Sequence, residues 1–156
     1  MSNAVSLPAA GILIEPASWR DLNALRHLEK VCFPIDYWPL LDLIGILTFP
    51  NIIRLKAVME GEMVGFIAGD TRTPGNLGWI STIGVLPQYR GRGIAAALLQ
   101  ACEESLHTKL VRLNVRSSNR EAVRLYRSLG YQEVTTWPGY YQNGEDALVL
   151  EKQILT

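Results

Sequence analysis

The chain has 156 residues, 48% hydrophobic and 19% charged, enough apolar material for one sizeable core and too much for a disordered or disulfide-stapled chain. Fifteen Lys+Arg balance fifteen Asp+Glu, so a general electrostatic role on nucleic acid or a membrane surface has no support. The balance hides a local excess. Residues 88–130 carry eight basic side chains (Arg90, Arg92, Lys109, Arg112, Arg116, Arg120, Arg124, Arg127) against Glu103, Glu104 and Glu121, a net +5 offset by −5 elsewhere.

Residues 1–11 are expected to be flexible, and Ile12–Glu15 reads as a short strand. Ser18 can cap a helix running to about Val31, with Leu22, Leu25, Leu28 and Val31 three apart. Phe33-Pro34 breaks it, and a second short helix follows near Leu40–Leu47. Two β runs, Ile52–Met59 and Met63–Asp70, are joined by Glu60-Gly61-Glu62 as a tight hairpin. Thr73-Pro74-Gly75-Asn76 is a turn, and Leu77–Leu86 a third β run. Arg92 or Gly93 to about His107 is a helix with Ile94, Leu98, Ala101, Cys102 and Leu106 on one stripe. Leu110–Arg116 is a strand, and Asn119–Leu129 a helix closed by Gly130. Tyr131–Thr136 and Ala147–Lys152 finish as strands. No repeat or linker divides the chain, so the expectation is one α/β domain over residues 1–156, a mixed sheet with helices on both faces.

Cys32 and Cys102 stand alone, with no CxxC pair and no His at metal spacing, so no metal is expected. No apolar run reaches the ~18–20 residues of a membrane span. The start, Met-Ser-Asn-Ala, has no basic segment followed by an apolar one, and a cytoplasmic location is expected.

The chemistry concentrates after the third β run. That run ends at Pro87, and a basic loop with Gly91 and Gly93 leads straight into a helix. A helix N-terminus offers unpaired N–H groups and partial positive charge, a ready seat for a pyrophosphate. Glycines let a phosphate approach the backbone, and Arg90 and Arg92 add charge. No Gly-Lys-Ser/Thr follows, so this is not a Walker A loop, and the GxGxxG of a dinucleotide site is absent.

Taken in order, Ile83-Gly84-Val85-x-Pro87, Arg90-Gly91-Arg92-Gly93-Ile94-Ala95, Leu113-Asn-Val-Arg-Ser-Ser-Asn119, Ala122-Val-x-Leu-Tyr126-x-x-x-Gly130-Tyr131 and Tyr140-Tyr141…Glu145-Asp146-Ala147 resemble the GNAT superfamily of acetyl-CoA-dependent N-acetyltransferases. The pattern is most similar to that of the ribosomal-protein alanine N-terminal acetyltransferases. It is dense from 79 to 147 and weak before that. The resemblance implies a mostly antiparallel central sheet and acetyl-CoA as co-substrate. Backbone groups of Ile83, Gly84 and Val85 would pair with the pantetheine arm, which needs a free strand edge. An N–H in this stretch could stabilise the tetrahedral oxyanion. Arg90, Gly91, Arg92, Gly93, Ile94, Ala95 and Ala96 would hold the pyrophosphate. Asn119 would contact the cofactor while capping the following helix. Tyr126 matches the family's general acid for the leaving thiolate; a phenol of pKa ~10 and a thiol near ~8.5 make that transfer close to balanced.

The sequence departs from its relatives at the base. They carry Glu or His where this chain has Asn114, and an amide cannot take a proton from the attacking ammonium. Trp79 stands where some N-terminal acetyltransferases carry Tyr. An α-amine of pKa ~7.8 is about 14% neutral at pH 7 and a lysine near ~10.4 roughly 0.04%, so losing the carboxylate favours an α-amine acceptor. Glu29, Asp70, Tyr140 and Tyr141 are candidates for holding a water, and no base is assigned. Phe33-Pro34-Ile35-Asp36-Tyr37 resembles a family segment bordering the acceptor groove, and Trp137-Pro-Gly-Tyr-Tyr141 would form the opposite wall. Substrate contacts are thus expected from Phe33, Pro34, Tyr37, Trp79, Asn114, Tyr140 and Tyr141. The expected acceptor is a peptide or protein N-terminus. A small-molecule amine is the alternative, and a catalytically weak acyl-CoA-binding sensor a second one. Nucleic-acid and membrane partners are not expected, and the chain is expected to be a monomer or homodimer.

Overall fold

The computed structural model describes residues 5–6, 11–72 and 76–154. The expected turn at Thr73–Asn76 lies outside the described residues except for Asn76, as does most of the expected flexible start. In chain order the elements are β1 (Val5–Ser6), β2 (Ile12–Pro16), α1 (Leu22–Cys32), α2 (Leu40–Thr48), β3 (Ile52–Met59), β4 (Glu62–Arg72), β5 (Leu77–Val85), α3 (Ile94–Leu106), β6 (Leu110–Arg116), α4 (Arg120–Ser128), β7 (Gln132–Trp137) and β8 (Ala147–Gln153). Among the described residues they form one eight-stranded sheet in the order β1-β2-β3-β4-β5-β6-β8-β7. Every neighbouring pair is antiparallel except β5 and β6, so the mixed, mostly antiparallel sheet is as expected. The strand at Val5–Ser6 is an addition, since the sequence reads as loose there; it pairs with Leu13 and Ile14 of β2.

Burial explains the layering. The middle of β4, Val64–Gly69, is buried throughout, as a central strand covered on both faces must be. On one face α3 packs Ile94, Leu98, Leu99, Cys102 and Leu106 against Ile80, Val111 and Leu113, with Val123 of α4 in the same core. On the other, Leu25 and Leu28 of α1 and Leu43, Ile46 and Leu47 of α2 cover Phe66 and Ala68. β7 is an edge strand, exposed except at Trp137 and carrying Glu133, Thr135 and Thr136.

Two local expectations are corrected. Ser18 caps a single 3₁₀ turn, Trp19–Asp21, rather than α1 itself: its hydroxyl accepts from the Arg20 N–H, and Asp21 accepts from the Ser18 N–H at 2.8 Å. Val31 is 40% exposed, and the inner face of α1 continues instead through Glu29 and Cys32. A repeat of three falls short of the 3.6-residue turn, so a 22-25-28-31 series rotates off the buried face by its last member.

A buried polar link joins α3 to the far end of the sheet. The Tyr131 hydroxyl donates to Glu103 at 2.7 Å, and the Lys152 ammonium reaches the other oxygen of Glu103 at 3.0 Å. Burial and the Glu103 charge push the Tyr131 pKa up, which keeps the phenol a donor. Tyr131→Phe should therefore destabilise the protein by about 1–3 kcal/mol, read as a lower urea midpoint at unchanged m-value.

Candidate active site

β5 and β6 pair over only three positions, Leu77–Trp79 with Leu110–Arg112, and then part. The parting coincides with a bulge. Ala68 of β4 faces Thr82 while Gly69 faces Ile80, which leaves Ser81 as an extra residue that bends β5. The remainder of β5 is bonded to β4 alone. Because the Leu86 N–H bonds to Val64 O, strand alternation turns Gly84 toward β4 and directs the N–H and C=O of Ile83 and Val85 to the open side. Gly84 matters for another reason: a Cβ there would lie 3.2 Å from Cys32 Sγ and from Leu28 of α1. The Val85 carbonyl on the open side is already engaged, by Arg90 Nε at 2.9 Å and the Cys32 thiol at 3.4 Å.

Beyond β5 the chain makes a 3₁₀ turn, Pro87–Tyr89, and reaches α3 through Gly91 (φ +80°) and Gly93 (φ +79°), left-handed conformations that glycine adopts without strain. Nothing lies within 4 Å of where a Cβ of either would stand, so this turn faces open space. Gly93 is the N-cap, and the first intrahelical bond runs from the Ala97 N–H to Gly93 O at 3.1 Å. The N–H groups of Ile94, Ala95 and Ala96 precede it and point out of the helix start. Arg92 folds back over the Tyr89 ring and against Met59, so the backbone is the main anion-seeking feature here. Arg120, Arg124 and Arg127 line a separate cleft of about 330 Å³ with Ser117, Val123 and Leu148.

Across the parting, Asn119 caps α4 by accepting from the Ala122 N–H at 3.2 Å. Two turns on, Tyr126 is buried edge-to-face against Tyr131. Burial first, and then the nearby Tyr141 phenol, push its pKa up to about 12. The phenol thus stays protonated at neutral pH and gives up its proton less readily than an ordinary tyrosine, while remaining a hydrogen-bond donor.

The α1 face of the sheet carries a row of aromatic rings. Trp79 stacks on Trp137 at 5.6 Å, Trp137 meets Tyr140 at 5.1 Å, and Tyr140 meets Tyr141 at 5.0 Å. Arg72 lies over Trp79 at one end and Arg116 over Tyr141 at the other. Arg116 ties the surroundings together. It grips both oxygens of Asp36 at 2.6 and 2.7 Å, donates to Asn143 and Glu145, and stacks on Tyr141, joining the α1–α2 loop to the β7–β8 loop. Glu145, held by Ser118 and Arg116, has its pKa lowered to about 2.

Trp79, Asn114, Tyr140 and Tyr141 therefore come together as the sequence led one to expect, while Tyr37 does not join them: it is exposed, with the Lys30 ammonium over its ring. Phe33 and Pro34 form the break after α1, where the Phe33 N–H caps Glu29 O. The Asn114 amide donates to the Tyr141 hydroxyl at 3.1 Å, so it holds a wall. Asp70 is paired with Arg72. Sequence reasoning missed the Arg116–Asp36 tie and the buried Glu29–Thr82 bond (2.8 Å); only the basic excess hinted at the first. No group of three or more metal-ligating side chains occurs among the described residues, and Cys102, pushed up to about 12 chiefly by burial, is not a ready nucleophile. No helix of the described residues is long and apolar enough to cross a membrane.

Arg116→Lys cannot reproduce the two-pronged grip. Hydrogen exchange should speed up in residues 33–38 and 139–146 together, with the α3 core unchanged; acceleration of one loop alone would show that Arg116 does not couple them.

Residues 22–131 match the acetyltransferase (GNAT) family. The N-alpha-acetyltransferase RimI of Mycobacterium tuberculosis is 36% identical over 136 residues, covering 85% of this chain and 86% of that protein. Among solved structures, the ribosomal-protein-S18-alanine N-acetyltransferase from Escherichia coli superposes with a TM-score of 0.83 at 26% identity, over 93% of this chain and 95% of the other. Arabidopsis thaliana NAA60 in complex with acetyl-CoA superposes at 0.79, with 25% identity over 92% and 98% of the two chains.

Proposed function

We propose that this chain, which belongs to the GNAT acetyltransferase family, is one catalytic domain that moves the acetyl group of acetyl-CoA to the free α-amine of a peptide or protein N-terminus. The observation that carries the reading is the parting of β5 from β6, with the open N-terminus of α3 on one side and the aromatic row on the other. A pantetheine amide can bond to the open-side groups of Ile83 and to the Val85 N–H as an added strand would, and the glycine turn with the first N–H groups of α3 suits a pyrophosphate. Asn119 and Tyr126 border the same opening from α4, where the Tyr126 hydroxyl can donate to the departing sulfur. Reaction is direct: the neutral amine nitrogen bonds to the thioester carbon, an outward N–H of β5 stabilises the oxyanion, and the carbon–sulfur bond breaks as a nitrogen proton is lost and the sulfur takes one up to leave as the thiol.

The acceptor assignment draws on relatives named as N-alpha-acetyltransferases and on walls of Phe33, Pro34, Trp79, Tyr140 and Tyr141 that suit an extended chain end. A catalytically weak acyl-CoA sensor is favoured by one observation, that Asn114 offers no carboxylate and is committed to Tyr141. Coenzyme A release separates the two, since a sensor binds acetyl-CoA without acceptor-dependent release.

Gly93→Asp should abolish acetyl-CoA binding in calorimetry by setting a negative charge where the pyrophosphate is proposed to sit. Gly93→Asn, which tolerates the same left-handed backbone, should weaken it far less. Equal losses would trace the effect to backbone strain and misplace the phosphate site.

For the acceptor, a short peptide with a free N-terminus should be acetylated at a rate that climbs through pH ~7–8.5 as the α-amine deprotonates. The same peptide blocked at its N-terminus but bearing lysine should not react. Activity on lysine, or on small amines alone, would transfer the assignment to the alternative acceptor.

A further inference from the structure

One carboxylate near the parting has no part in the site described so far. Glu29 lies on the inner face of α1 and is 1% exposed. A charge so placed is costly unless paired, yet no cation bonds to it among the described residues. Its one strong partner is the Thr82 hydroxyl, which donates to Oε2 at 2.8 Å. The Trp38 N–H stands 3.5 Å from Oε1, at the limit of a hydrogen bond. The other titratable group facing it is the Cys32 thiol of the same helix, and Arg90 lies against that thiol from the loop before α3. Desolvation raises the Glu29 pKa from the ordinary carboxylate value, against the smaller lowering by the Thr82 and Trp38 hydrogen bonds.

The position of Thr82 gives the pair its meaning. Thr82 follows the bulged Ser81 and precedes Ile83, whose backbone faces the open side of β5. Its hydroxyl spends its single proton on Glu29, so the lone pairs of Oγ stay available as acceptors. Asn114 cannot serve as a base, and among the described residues no other carboxylate is bonded to β5 beside the parting.

We propose that Glu29 is the proton acceptor of the transfer reaction, reached through the Thr82 hydroxyl; this rests on the amine-acetylation reading above. The acceptor ammonium passes a proton to Thr82 Oγ as the Thr82 hydroxyl proton moves to Glu29 Oε2. The freed nitrogen lone pair forms the bond to the thioester carbon, the carbon–sulfur bond breaks, and the second nitrogen proton passes to the departing sulfur, so that a neutral amide forms and coenzyme A leaves as the thiol with its sulfur hydrogen-bonded by Tyr126. The neutral Glu29 then returns its proton to solvent. The hydroxyl serves as a relay and is unchanged at the end.

The test compares wild type, Glu29→Gln and Thr82→Val on an N-terminal peptide and on hydroxylamine, an acceptor already neutral at pH 7. Glutamine keeps an oxygen that accepts from Thr82 but cannot take a proton. With the peptide at pH 7, kcat/KM should fall about 10²–10⁴-fold in both variants while acetyl-CoA affinity holds. The deficit should shrink as pH rises and the amine deprotonates by itself, and it should be small with hydroxylamine. Thr82→Ser, which restores a hydroxyl, should recover more rate than Thr82→Val. Wild-type turnover in Glu29→Gln at pH 7, or a deficit equal at every pH and with both acceptors, overturns the assignment and leaves Glu29 structural. Should Glu29→Gln fail to fold, the same profiles from Thr82→Val decide. A wild-type protein inactive on every amine removes the acetyltransfer reading itself, whereas active wild type with unaffected variants removes only Glu29.

Discussion

Everything distinctive in this protein depends on one parallel ladder that ends early. Sheet hydrogen bonding is the strongest local order available to adjacent strands, and here it stops after three residue pairs. The bulge at Ser81 turns β5 away, and β6 continues in full register with β8 over Leu110–Arg116. The N–H and C=O of Ile83 and the N–H of Val85 are thereby left facing a gap instead of a neighbouring strand, which a sheet interior does not permit without a reason. The gap also determines what can reach what, because α3 and α4 border it from one face and α1 and the aromatic row from the other.

Keeping the gap open requires that its rims be held independently of strand pairing. On the α1 face that work falls to Arg116. Its contacts are partly exposed, so each ion pair is worth little in stability on its own. Their importance is geometric: a planar guanidinium satisfied by Asp36, Asn143 and Glu145 and stacked on Tyr141 allows one relative placement of two loops. The β7–β8 loop is braced from within as well, by bonds from the Tyr141 N–H to Glu145 O and from the Gly139 N–H to Asp146.

Burial tunes the ionisable groups around the gap in one consistent direction. Tyr126 and Tyr131 are held protonated as donors, Cys102 is kept from ionising, and Glu29 is made a stronger base than a surface carboxylate. In each case desolvation is the leading cause, because a low-dielectric surrounding disfavours the charged form. Charged side chains stand at the edges of the gap, with Arg90 on the Val85 carbonyl, Arg72 paired with Asp70, and Arg116 with Asp36 and Glu145.

Much of this was legible from residue order alone. The glycine-bearing turn before α3, the Asn119 cap and the element order follow from short-range rules of turn chemistry, capping and periodicity, and these need only residues a few positions apart. Tyr126 was identifiable through its motif, though not its raised pKa, which reports how much of the fold closes over it. That Tyr37 stands apart from the aromatic row, exposed and under the Lys30 ammonium, was not legible, because a local motif names a loop but not the direction of a ring. The ties that shape the site join residues 80 positions apart, as in Arg116 with Asp36, or 53 apart, as in Thr82 with Glu29. No periodicity links such pairs; only the packing of α1 against β5, and the return of β8 beside β6, brings them within hydrogen-bond range.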